Sequence, residues 1–110
     1  MLTESAFVKI QVSVPMPQAR AVREAMGMAG AGQMGEYSYC SGSTRCVGRF
    51  IPGPYAHPAI GTAGKLEEVE EEIIATICHK DQVAAVVAAI KKVHPYEEPP
   101  IDIIPRLEIE

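Results

Sequence analysis

A chain of 110 residues that is 47% hydrophobic and 22% charged has the size and balance of one soluble domain with a core of its own. Its formal charge of −4 and ten scattered basic residues exclude a general nucleic-acid binder, which needs clustered Lys and Arg. No apolar run reaches membrane-spanning length and the N-terminus lacks a basic-then-apolar leader, so the expected location is cytoplasmic, with no membrane partner.

The first element is a predicted strand from Ala6 to Val14, where Val8, Ile10, Val12 and Val14 alternate with Lys9, Gln11 and Ser13. Pro15 and Pro17 end it. From Gln18 to about Met28 the spacing becomes helical: Ala19, Val22, Ala25, Met26 and Ala29 share one face. Gly27, Gly30, Gly32 and Gly35 stop that helix and open a loop. Glu36–Cys40 and Arg45–Ile51 are predicted strands, with Ser41-Gly42-Ser43 as a hairpin turn between them. Pro52, Gly53, Pro54, Pro58, Gly61 and Gly64 then make an irregular, extended arm.

Val69–Cys78 is the next predicted strand. Val69, Ile73, Ala75 and Ile77 fall on one face, and Glu70, Glu72, Ile74, Thr76 and Cys78 on the other. Asp81 is placed as the N-cap of a second helix with an apolar stripe of Val83, Val86, Val87, Ile90 and Val93. Lys91 and Lys92 lie in its last turn, where the helix dipole favours them. Ile101, Ile103 and Ile104 form a final strand that Pro105 ends.

This order predicts an α+β, ferredoxin-like β-α-β-β-α-β sandwich with an irregular Pro/Gly-rich arm. Each helix has one apolar stripe, so both are expected on the same face of the sheet. The other face is then expected to expose Ile74, Cys78 and one side of the last strand. Exposed apolar surface of that kind calls for a partner, and a second copy of the chain is the expected one.

The richest chemistry lies in His94-Pro95-Tyr96-Glu97-Glu98-Pro99. Prolines near both ends stiffen a segment too polar for a core, so its side chains are displayed. His94, Tyr96, Glu97 and Glu98 read either as a ligand or proton-handling cluster or as helix capping plus solvated carboxylates; the capping reading weighs somewhat more. Cys40 and Cys46, with His94, are the candidate ligands for a divalent or soft transition metal. Their spacing is not that of a zinc finger, and unrelated reduced thiols are the preferred reading of the cysteines. The Gly30–Gly35 loop follows a helix instead of opening one, so it lacks phosphate-loop geometry. The run Glu67, Glu68, Glu70, Glu71 and Glu72 reads as a solvated strand end, because alternate carboxylates point to opposite faces.

Three stretches together resemble a known domain: Gly30 to Ser41, Ile60 to Glu70, and Val93 to Pro99. In this order and spacing they are similar to the domain inserted in the middle of many Nif-three-like proteins of the YqfO type, over about Val8 to Leu107. The resemblance implies a single domain, residues 1–110, similar to the nitrogen-regulatory PII and copper-tolerance CutA proteins and trimeric like them. It also implies that the family's His and Glu metal ligands lie in two flanking halves that this sequence does not contain. The two-metal hydrolase site is therefore not carried over, and no catalytic residue is assigned. Ile73 and Ala75 stand where many inserted domains carry Arg and Glu. The expected function is a non-catalytic binding or regulatory module, a homotrimer with its ligand in the cleft between subunits; a small metal-dependent hydrolase is the alternative. The ligand expected is a metal, a small anionic molecule or a partner protein, held by Tyr37, Cys40, His94, Tyr96, Glu97 and Glu98.

Overall fold

The alternation of Val8, Ile10, Val12 and Val14 builds strand β1, Leu2–Pro15, in a computed structural model that describes residues 1–110. A single 3-10 turn, Met16–Gln18, leads into helix α1, Ala19–Met28. Strand β2, Gly42–Phe50, and strand β3, Glu67–His79, flank the arm. A second 3-10 turn, Lys80–Gln82, precedes helix α2, Val83–Val93, and strand β4, Ile101–Ile109, completes the chain. The sheet order is β2-β3-β1-β4 and every pair is antiparallel. With α1 and α2 packed side by side on one face, this is the expected ferredoxin-like sandwich. No helix is long and apolar enough to cross a membrane.

The core lies between the helices and the even-numbered residues of β1 and β3. Ile10, Val12, Val14, Val22, Ile74, Val86 and Ile90 are fully buried there, with Met26 and Cys78 nearly so. This corrects the expected face of β3. Direct antiparallel partners point the same way, and β1 pairs Ile10 with Thr76 and Val12 with Ile74. Ile74 and Cys78 are therefore core. The helix-free face carries the half-buried Ile73, Ala75 and Ile77, beside the partly exposed Ile104.

Several boundaries also differ from expectation, among them the start of β1, which lies at Leu2 and not at Ala6. Ser41-Gly42-Ser43 leads directly into β2 and is not a hairpin turn: Gly42 and Ser43 already pair with Ala75 and Ile74. Glu36–Cys40 forms no strand beyond one bridge between Met34 and Tyr37. Gly35 and Tyr39 both adopt left-handed φ, which breaks an extended run. Gly32, at φ 82°, stitches this loop down: its N–H donates to the Ile77 carbonyl and its own carbonyl accepts from the Cys40 N–H. A Cβ there would run into the Cys40 backbone, so this position requires glycine.

Pro105 lies inside β4 and does not end it. β4 is an edge strand, and Pro105 sits where its pairing with β1 slips between Glu4 and Val8, a place that tolerates a missing N–H. Ser5 fills the irregularity: its hydroxyl donates to Glu108 at 2.6 Å and accepts from the Phe7 N–H at 2.9 Å. His79 caps the 3-10 turn that leads into α2, its Nδ1 accepting from the Asp81 N–H at 3.1 Å, and the N-cap of α2 is Gln82, so Asp81 is not the cap.

Ile74 provides the test of the face assignment. Ile74→Ala is expected to cost about 2–5 kcal/mol by urea denaturation with an unchanged m-value, as for a closed core site. Ile74→Glu is expected to leave no folded chain by far-UV circular dichroism, since its charge would have no partner there. A folded, fully stable Ile74→Glu protein would overturn the register.

Candidate functional site

Helix α2 stops at Val93 because His94 precedes Pro95, and a residue before proline is driven out of the helical region. His94 is extended, at φ −76° and ψ 133°, and its N–H still closes the last turn on Ile90. Its side chain is 7% exposed, with both ring nitrogens in use. Nδ1 accepts from the Tyr96 N–H at 3.1 Å, so Nε2 carries the proton and donates to the Ser13 carbonyl at 2.7 Å. Thus His94 pins the connector to β1 across the end of the sheet.

That anchor delivers Tyr96 onto the helix-free face. Its ring lies 5.1 Å from His94 and 5.7 Å from Phe50, the latter edge-on. Its hydroxyl donates to Glu71 Oε2. Burial, then the hydrogen bond and the charge of Glu71, push the phenol pKa well above its ordinary range. The phenol is therefore a fixed donor. Glu71 itself is 4% exposed. Its carboxylate occupies the space over Gly48, where a Cβ would collide with it.

The arm closes the other side. Glu97 Oε1 accepts from the His57 N–H at 3.1 Å, tying connector to arm. Between arm, connector and sheet lies a cleft of about 450 Å³. Glu71, Tyr96, Glu97, Glu98 and Arg49 supply its polar lining, and Phe50, Pro52, Pro58 and Ile60 its apolar walls. Arg49 is already paired with Glu68 at 3.0 Å. The lining thus offers three carboxylates against one engaged guanidinium.

Of the six residues expected to bind a ligand, Tyr96, Glu97 and Glu98 meet at the cleft, and His94 supports them from behind. Tyr37 and Cys40 do not join them. Tyr37 is 75% exposed on the loop after α1. Cys40 lies on the helix side, where its carbonyl accepts from the Thr76 hydroxyl. The expected metal set is divided in the same way. Cys46 pairs with Glu71 on the helix-free face and Cys40 lies on the other side. Both nitrogens of His94 are occupied. The side chains gather no group of three or more His, Cys, Asp or Glu placed to hold a metal ion. Burial, reinforced by Glu71, raises the Cys46 thiol pKa, which keeps it from the thiolate form that binds metals. Glu71 and Glu72 depart from the reading of a solvated run. Glu71 closes the cleft floor, and Glu72 accepts from Arg23 of α1 and from Ser43 on the other face. Their opposite parity was the only available signal in the sequence.

Comparison with known proteins agrees with this fold. No family model matches the chain. It is 48% identical over 103 residues to the GTP cyclohydrolase 1 type 2 homolog of Halalkalibacterium halodurans, covering 94% of this chain and 27% of that protein. The crystal structure of a Bacillus cereus protein related to NIF3 superposes with a TM-score of 0.77 at 38% identity, covering 96% of this chain and 26% of that one. The periplasmic divalent cation tolerance protein CutA of Archaeoglobus fulgidus aligns with a TM-score of 0.66 at 19% identity, over 91% of this chain and 83% of its own, which is a likeness of fold. The chain spans about a quarter of the length of the curated relatives it matches. It is a relative of that one CutA-like segment of the NIF3-related proteins.

The Tyr96–Glu71 contact makes alkaline stability diagnostic. The folded phenol keeps its proton above the ordinary value of 10.0, so the unfolded chain releases its proton first. Stability that is full below pH ~10 is then lost as pH rises further. Tyr96→Phe is expected to cost about 1 kcal/mol near pH 7 from the lost hydrogen bond, and to fall less steeply than the parent above pH ~10. Parallel pH profiles of chemical denaturation would contradict the buried-donor assignment.

Proposed function

We propose that residues 1–110 form one non-catalytic binding or regulatory module, a homotrimer whose ligand lies, in place of the expected cleft between subunits, in the cleft between arm, connector and sheet of one chain. The observation that carries this reading is the cleft itself. A stiff connector, anchored by His94, brings Tyr96 and two glutamates against a buried carboxylate, within a space of about 450 Å³ that suits a small ligand. These groups are held before any ligand arrives, so binding spends little on ordering them.

Trimeric assembly is supported by the helix-free face, where Ile73, Ala75 and Ile77 lack a covering element from their own chain, and by the CutA-like fold. Of the ligands considered from sequence, an anion is disfavoured by the carboxylates that line the cleft. A cytoplasmic setting accords with three unpaired thiols. The alternative of a metal-dependent hydrolase follows the name of the relatives, but it needs clustered metal ligands that these side chains do not assemble. The binding reading is the better supported.

Ile77 lies on the helix-free face opposite Lys9, at the far end of β3 from Glu71. Light scattering is expected to give three subunits for the unmodified chain. Ile77→Glu should dissociate it while leaving the far-UV spectrum unchanged, because Ile77 is outside the core. A stable monomer of the unmodified chain would end the trimer reading.

A further inference from the structure

The floor of the cleft is unusual in its charge. Glu71 is almost fully buried, and its one hydrogen bond comes from Tyr96. Its other oxygen, Oε1, lies over Gly48 at the cleft lining; it takes no hydrogen bond from the protein and is open to the cleft, since no fully buried side-chain oxygen is left without a partner. None of the ion pairs in the protein includes Glu71, Glu97 or Glu98. Arg49, the basic residue of the lining, is spent on Glu68. A buried carboxylate without a counter-ion is costly, and its cost falls when a cation enters beside it.

We infer that the cleft takes a small organic cation, a protonated amine or guanidinium carried on an apolar or aromatic body. This rests on the binding reading above and names its ligand class. The cation pairs with Glu71 Oε1 at the floor, and Glu97 and Glu98 at the rim add attraction. The apolar body packs on Phe50, Pro52, Pro58 and Ile60. The rings of Phe50 and Tyr96 stand close by, and aromatic faces favour cations. A metal ion is the poorer occupant, because the carboxylates do not form a ligand group. An anion would meet uncompensated negative charge.

The test uses the full chain, labelled with nitrogen-15 and titrated at pH 7 with benzylamine, benzyl alcohol and benzoate, three probes of similar body and different charge. Benzylamine is expected to shift the amides of Gly48, Phe50, Glu71, Tyr96 and Glu97 saturably. Benzyl alcohol should bind about tenfold more weakly, as expected for loss of a charge-assisted hydrogen bond, and benzoate should not bind. Glu71→Gln keeps the shape and still accepts from Tyr96, and should weaken benzylamine about tenfold. Glu98→Gln, at the exposed rim, should weaken it about twofold. Unchanged benzylamine affinity in Glu71→Gln, or equal affinity for the alcohol, overturns the inference. If benzoate or the alcohol saturates these amides and benzylamine does not, the cleft remains a binding site and the cation assignment falls. If none of the three moves them, both fall together.

Discussion

The pairing of Val12 with Ile74 decides nearly everything else in this molecule. Side chains of a strand alternate between faces, so one register sends every even residue of β3 to the helices and every odd one to the open face. The same choice puts Glu72 beside Arg23 and Glu71 beneath Tyr96. A slip of one residue would bury Glu71 and Glu97's neighbours differently and leave the connector without a partner on the sheet. The register is enforced from β1, where only one face is apolar.

That asymmetry explains which features could be read from the sequence. β1 and α1 have single apolar faces, so their orientation, and the extent of α1, followed directly from spacing; β1 runs back to Leu2, four residues before its alternation is clear. β3 is apolar on both faces over Ile73 to Cys78, and periodicity alone had no basis for choosing between them. The expected exposure of Ile74 and Cys78 failed for that reason. The hairpin at Ser41 failed because Gly and Ser signal turns locally, whereas the ladder from Gly42 to Phe50 is set by pairing with β3. Pro105 misled in a similar way: a proline forbids a central strand but is accepted at an irregular edge.

The site was half legible. Tyr96, Glu97 and Glu98 announced themselves by sitting, polar, between prolines. His94 carried the same signal yet does structural work, since neither ring nitrogen is free. Glu71 was hidden within an acidic run whose members look alike in sequence. Only tertiary pairing separates the solvated Glu70 from the buried Glu71 and the ion-paired Glu72. Proximity in sequence likewise said nothing about Arg49 and Phe50, which the end of β2 carries to the cleft from the opposite side.

Gly48 and Glu71 share one volume: the side chain that the first lacks is the space the second fills. Their substitutions are therefore not independent. A larger residue at position 48 displaces the Glu71 carboxylate, the movable end of its side chain, and with it the acceptor for Tyr96. The carboxylate keeps its present place beneath Tyr96 only while position 48 has no side chain.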